Sequence, residues 1–332
     1  MTGCINMNDA LRMVKKILGD RVKERMILAP YTTLKIGGPA DLFYDVRTVD
    51  ELAVAVTEAR KLEVPITVLG GGSNVLIGDK GIRGLVIKNS TSHIAIRGVK
   101  GKLVAGASER VVYVAADSGV VVNTLVRFAC DVGLAGLEMH LGLPGCVGGA
   151  VYMNSKWTRP EGCVGDVVYQ AEILDAENIR RIVPRSYFQF GYDHSSIQKN
   201  CDIVLRVVFA LVQSEKARLW EIANASIAYR RETQPQGVHS AGCTFRNITT
   251  AQALIASVPQ GTTSAGFLLD HAGVKKLCVG DAEISSVHAN FIINKGKATA
   301  SDVIQLIDRA KEQVKRQFGV TLEEEIVRLG EF

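Results

Sequence analysis

PITVLGGGSNVLIGDKGIRGLVIKN, residues 65 to 89, decides how this chain folds. A short apolar run, Ile66 to Leu69, ends at three glycines, and a second apolar run, Gly84 to Ile87, follows after glycine-spaced turns. Short β-branched runs bounded by glycine read as buried strands. Upstream, Thr48-Val49-Asp50-Glu51 has the form of a capping box, and Leu52, Val56, Ala59 and Leu62 then recur at helical spacing until Pro65. The order is strand, helix, strand, glycine loop, strand, which makes a small α/β unit.

Downstream the chain turns β-rich with two short helices interposed. Ser108 is expected to cap the first, and NTLVRFACDVG forms the second, ending at Gly133. AEILDAENIRRIV and DIVLRVVFAL read as strands, LWEIANASIAYRR as a helix. A last helix is expected from Thr299 or Ser301 to Phe318, with Val303, Ile307, Ala310 and Val314 on one face and Gly319 as its stop. No internal repeat or low-complexity segment interrupts this order.

Composition narrows the class. At 332 residues the chain is too long for one ordinary core, so two or three domains are expected. Hydrophobic residues make up 47% and charged residues 22%, as in a soluble globular protein, and no apolar run reaches the ~18 residues that span a bilayer. The first 20 residues carry charges among the apolar positions and no signal-peptide core, so the expected location is cytoplasmic. The net charge of +5 comes from interspersed signs, which speaks for a small anionic ligand rather than nucleic acid. Seven cysteines, at 4, 130, 146, 163, 201, 243 and 278, form no CxxC pair. Reduced thiols are expected, and neither a disulfide framework nor a metal site.

Two glycine stretches carry the binding signal. Gly70, Gly71, Gly72, Ser73 and Asn74 follow a strand, and successive glycines let backbone N–H groups converge on an anion such as a pyrophosphate. The spacing is neither that of a Walker loop nor GxGxxG. The second stretch holds Gly142, Leu143, Pro144, Gly145, Gly148, Gly149 and Ala150, where the chain can approach a flat or bulky group. Either stretch alone also reads as a tight turn or a packed loop. Together they suit one extended cofactor.

Six ordered motifs then add up. YTTLKIGGPADL, VLGGGSNVLIGDKGIRGLVI, LPGCVGGAVYMN, SAGCTFRN, HANFIINKGKATASDV and LEEEI occur in that order between Tyr31 and Leu329. The set resembles the UDP-N-acetylenolpyruvoylglucosamine reductase (UDP-N-acetylmuramate dehydrogenase) family, in a shorter-type member. The resemblance implies an α+β fold: a two-part FAD-binding region of the vanillyl-alcohol-oxidase (PCMH) type, plus a C-terminal α+β substrate-binding domain. The parts would be residues 1–88 with 318–332 returning to them, residues 89–213, and residues 217–315. It implies non-covalent FAD with its pyrophosphate at Gly70–Asn74 and Leu143–Ala150. It also implies NADPH as hydride donor and the enolpyruvyl ether of UDP-N-acetylglucosamine as substrate, in peptidoglycan precursor synthesis. A covalently tethered flavin fits less well, because Cys146 is its sole support.

The same resemblance assigns roles. Cys243 stands where the family usually has serine, the general acid to C2 of the substrate. A thiol of ordinary pKa near ~8.5 is mostly protonated at neutral pH and competent for that step. Read without the motif, Cys243 is a small buried apolar residue. Glu325, last of the three glutamates, matches the position that stabilises the intermediate; read alone, the three are a solvated charge run. Arg246 and Asn247 match residues near the substrate diphosphate, Arg231 is favoured over Arg230 for the same anion, and Tyr192 is expected at the substrate. His288 in HANF reads as structural.

Three departures bear on activity. FGYDHSS puts Asp193 where the family has arginine beside Tyr192, SKWTRPEG (155–162) replaces a glycine-rich turn near the flavin, and Ile248 follows Asn247 in place of proline. Losing an electrostatic stabiliser costs ~10²–10³ in rate. A homologue with altered or impaired activity, or a non-catalytic flavin or nucleotide-sugar binder, therefore stays open beside the working reductase.

Overall fold

In this computed structural model the structure describes residues 6–104, 107–255 and 258–332; Cys4 lies outside them. Contacts divide the chain into two units. The first comprises residues 1–23, 43–71 and 85–230, the second 24–42, 72–84 and 231–332. This cuts the chain differently from the three-part expectation: the division falls within the glycine loop, between Gly71 and Gly72, and within the helix Lys216–Thr233.

In the first unit the Thr48 signal works. Its hydroxyl accepts the Glu51 N–H, and the helix runs Val49–Lys61 with Leu52, Val56 and Ala59 buried. The Glu51 carboxylate accepts from Arg47 N–H at 2.8 Å and pairs with Arg21. The strand Ile66–Leu69 then runs parallel to the Leu85–Lys88 stretch.

The main sheet of this unit is antiparallel, in the order Arg180–Pro184, Val168–Leu174, Ile203–Gln213, Ala107–Asp117, Ile94–Val104. The helix expected at Ser108 does not form. That segment is strand, because its valines at 111, 112 and 114 pair on both sides, with Lys100–Ile96 and with Val212–Phe209. AEILDAENIRRIV is two strands rather than one. The Asp175 side chain accepts the N–H groups of Glu177 and Ile179, and Asn178 takes φ +65°, an Asx turn that reverses the chain. One sheet face buries Val112, Val114, Val207, Phe209 and Leu211 beside Leu125, Val126 and Val151 of the helices Val122–Asp131 and Val147–Met153.

In the second unit a sheet ordered His239–Cys243, Phe291–Asn294, Ala282–Ile284, Cys278–Val279 shares a core with the helix Ala300–Phe318. Thr299 and Asp302 close a reciprocal capping box, and Gly319 ends the helix in the left-handed conformation at φ +71°. Asp79 adds its carboxylate to the N–H groups of Ala300 and Ser301 at 2.8 and 3.0 Å. Val75–Ile77 runs parallel to Val327–Leu329. No helix among the described residues is long and apolar enough to cross a membrane, and the six described cysteines are free thiols.

Candidate active site

The catalytic pair expected from sequence lies in the second unit, and backbone pairing brings its two segments together. Cys243 ends the strand His239–Cys243 opposite Phe291. Gly242 takes φ +83° where the register shifts between Ser240 and Cys243. A glycine bulge of this kind re-aims the next side chain. The chain then runs between two partners. Thr244 N–H donates to Asn290 O at 2.7 Å, and Asn290 bonds both polar groups of the Phe245 backbone at 2.8 Å. On the other side Glu325 N–H donates to Thr244 O at 2.8 Å and Arg246 N–H to Glu323 O at 2.9 Å. Asn74 joins them: its amide donates to Glu325 O at 3.2 Å, and its own carbonyl accepts Val327 N–H at 2.9 Å.

The three glutamates separate by environment. Glu323 is exposed and Glu325 half-buried. Glu324 pairs with Lys311 and with Arg328 at 2.7 Å. Burial alone would raise its carboxyl pKa, but the Arg328 and Lys311 hydrogen bonds hold it below the ordinary range. Glu324 is thus held in an ion-pair cluster with Lys311 and Arg328. The stability it contributes is full above the unfolded carboxylate pKa and is lost as pH falls through its lower folded value. Glu324→Gln should cost about 1–3 kcal/mol at neutral pH. The difference from wild type should vanish well below the ordinary pKa of about 4.3, read as urea midpoints across that range.

Arg246 is half-buried, and its Nε is enclosed without a hydrogen bond among the described residues. An enclosed guanidinium N–H suits an anion. Asn247 uses its carboxamide oxygen on Ala265 N–H at 3.0 Å, at the start of the helix Ala265–His271. His288 receives Asn290 N–H at 3.2 Å on Nδ1, lies edge-on to Phe291, and is pushed below its ordinary pKa by burial.

The glycine stretches meet in the first unit. A Cβ at Gly71 would lie 2.7 Å from Gly145 Cα, and one at Gly70 3.3 Å from Cys146 Cβ. Lys88 Nζ fixes Gly70 O at 2.8 Å. Gly148 donates its N–H to Ser118 O at 2.7 Å, whereas a Cβ at Gly149 would meet no protein atom within 4 Å. Gly149 is exposed and Pro144 beside it in the stretch is exposed too, while Leu143 and Ala150 turn into the core. Burial pushes the Cys146 thiol up, against the opposing pull of Lys88 and the Gly71 N–H. In the second unit Gly72, at φ +62°, would bring a Cβ within 2.2 Å of Tyr31 O, and Ser73 is half-buried.

Comparison with known proteins supplies the context. A family profile described as an FAD binding domain matches residues 40–179, and one described as the C-terminal domain of UDP-N-acetylenolpyruvoylglucosamine reductase matches residues 234–329. Proteins of that name from Moorella thermoacetica and Desulforamulus reducens are 39% and 38% identical, over 92% and 91% of both chains. The crystal structure of the reductase from Thermus caldophilus superposes with a TM-score of 0.74 at 33% identity, covering 93% of this chain and 99% of that one. This chain belongs to the UDP-N-acetylenolpyruvoylglucosamine reductase family.

The FAD binding domain profile spans both glycine stretches and the region that holds them. The protein atoms fit such a group: the stretches adjoin through bare backbone, and the space above Gly149 is a place a side chain would fill. The reductase family's C-terminal profile covers Cys243, Arg246, Asn247 and Glu325.

The remaining expectations fall in the first unit, except Arg231. Tyr192 is exposed, and Lys156 Nζ lies 5.8 Å above its ring. Asp193 is only 6% exposed, with φ +48°, and its carbonyl accepts Gln198 Nε2 at 3.1 Å. It does not point outward. Lys156 is held above its ordinary pKa, first by its hydrogen bond to Glu161, with Asp193 and Cys163 contributing charge. Arg231 is exposed and begins the last part of the second unit, whereas Arg230 packs against Gly142. Sequence reading missed Lys156, Trp157 and His140. The first two sit in the SKWTRPEG stretch already marked as a departure; His140 gave no signal beyond its place between the two glycines at 136 and 142.

Proposed function

We propose that this chain is an FAD-dependent reductase that uses NADPH to convert the enolpyruvyl ether of UDP-N-acetylglucosamine to UDP-N-acetylmuramate in the cytoplasm. The observation that carries the reading is the clamped segment Cys243–Asn247, whose backbone pairs with the Glu323–Glu325 segment on one side and the Asn290 turn on the other. It fixes an acid, a carboxylate and an arginine in one unit.

Bound FAD supplies the hydride relay between NADPH and the substrate's C3. The protein's part is the rest. Cys243 donates the proton to C2 as charge develops there, and Glu325 stabilises the intermediate at the same centre. Arg246 contributes an N–H to the diphosphate. On the first unit, exposed Tyr192 is assigned to the substrate, with Lys156 Nζ 5.8 Å above its ring.

Anaerobic stopped-flow absorbance at the flavin band tests this. NADPH should bleach the band, and the enolpyruvyl nucleotide sugar should restore it within a second, as expected for turnover of ~1–10³ s⁻¹. A band that bleaches and stays bleached would favour a flavoprotein of this family with another acceptor. A band that NADPH never bleaches would leave a binding protein.

A further inference from the structure

The strand that carries Cys243 ends at Cys243. His239 and Ser240 face Asn294 and Ile293, the register shifts at the Gly242 bulge, and Cys243 faces Phe291. The next backbone bond runs from Thr244 N–H to Asn290 O at 2.7 Å. Phe245 is 2% exposed and Asn290 3%, so the Phe245 N–H and C=O need partners inside the protein. One carboxamide supplies both. Phe245 N–H donates to Asn290 Oδ1, and Asn290 Nδ2 donates to Phe245 O, each at 2.8 Å. The Asn290 side chain thus stands where a further residue of the partner strand would pair. One donor and one acceptor on Phe245 also fix which end of the carboxamide is oxygen.

Asn290 is itself held. Its N–H donates to His288 Nδ1 at 3.2 Å, Val287 N–H donates to Ser285 Oγ at 3.1 Å, and Ser285 N–H closes the turn on Phe291 O at 2.8 Å. The His288 ring packs on the helix Ala265–His271, where a Cβ at Gly266 would stand 2.7 Å from His288 Cε1. The start of that helix takes the Asn247 carboxamide oxygen on Ala265 N–H. Contacts therefore run from Asn247 through Ala265, Gly266 and His288 to Asn290, and return to Phe245. They enclose the five residues that begin with the thiol.

We propose that Asn290 is the positioning residue for the Cys243 acid: by bonding both polar groups of the Phe245 backbone, it fixes the strand end that presents the thiol to the substrate. This rests on the reading of Cys243 as proton donor, and deepens it. Asn290 acts through the thiol. A misplacement of about 1 Å at a reacting group costs ~10² in rate.

Asn290→Asp tests this in the purified holoprotein. Aspartate keeps an oxygen for the Phe245 N–H and turns a second one on Phe245 O, where two acceptors repel. NADPH should bleach the flavin band at the wild-type rate, while reoxidation by the enolpyruvyl nucleotide sugar slows about 10- to 100-fold. Once the thiol is gone, nothing is left to position. In a Cys243→Ala background, Asn290→Asp should therefore change reoxidation by less than about twofold, whereas a general loss of structure slows both backgrounds alike. An assay without substrate reads the same clamp. Alkylation of Cys243 by iodoacetamide, followed by the mass of its peptide, should quicken at least about threefold as the strand end loosens. Where Asn290→Asp fails to fold, His288→Phe keeps a flat ring and removes the acceptor for Asn290 N–H. It should slow reoxidation about 3- to 10-fold, again only with the thiol present. Reoxidation within about twofold of wild type, equal slowing in both backgrounds, or unchanged alkylation overturns the proposal while sparing the proposed function. A wild-type protein that the enolpyruvyl nucleotide sugar never reoxidises sinks both.

Discussion

Replacing Cys243 with alanine should leave NADPH reduction of the flavin intact and slow the substrate-driven return of oxidised flavin by ~10²–10⁴. The two half-reactions separate because only the second needs a proton at carbon. Cys243 is half-buried beside a bulge at Gly242, and its neighbours Thr244 and Phe245 are bonded on both sides to Asn290 and Glu325. Alanine removes the sulfur and leaves those backbone bonds alone, so thermal stability should barely move. Serine restores a donor of similar size and should recover much of the rate. A Cys243→Ala protein that reoxidises at the wild-type rate would remove Cys243 from the mechanism.

Gly71→Val should strip the protein of tightly bound flavin and lower its stability. The new Cβ would fall 2.7 Å from Gly145 Cα, backbone against backbone, with no flexible side chain to give way. Forced overpacking of this kind costs about 1–3 kcal/mol. That is roughly 10- to 100-fold in affinity if the strain is borne by the loop that holds the ligand. Gly149→Ala is the informative partner. Its Cβ meets no protein atom within 4 Å, so the variant should melt like wild type. If the cofactor passes over Gly149, the flavin-to-protein ratio after gel filtration should still drop. Unchanged flavin in Gly149→Ala would move the cofactor path elsewhere, whereas unchanged flavin in Gly71→Val would mean that the two stretches can separate without loss.

Local signals in the sequence were read well where one residue type answers one local need. Thr48 and Thr299 cap the helices they precede, Gly133 and Gly319 end theirs, and the strand after Pro65 leads into the glycine loop. Ser108 misled because a cap is only half of a helix signal. The valines after it have partners on both flanks, and those partners lie up to a hundred residues away.

For this protein, the sequence by itself determined most of the order of elements, the family, and the positions of the glycine stretches. Those depend on local backbone preference and on motifs carried by contiguous residues. Only the tertiary structure decided that Glu324 is tied to Lys311 of the helix Ala300–Phe318, that Arg230 rather than its neighbour lies against Gly142, that Asp193 is buried, and that Lys156 stands above Tyr192. In each case the deciding partner comes from a separate segment of the chain, and the charge or contact that sets the role exists only once the two are folded together.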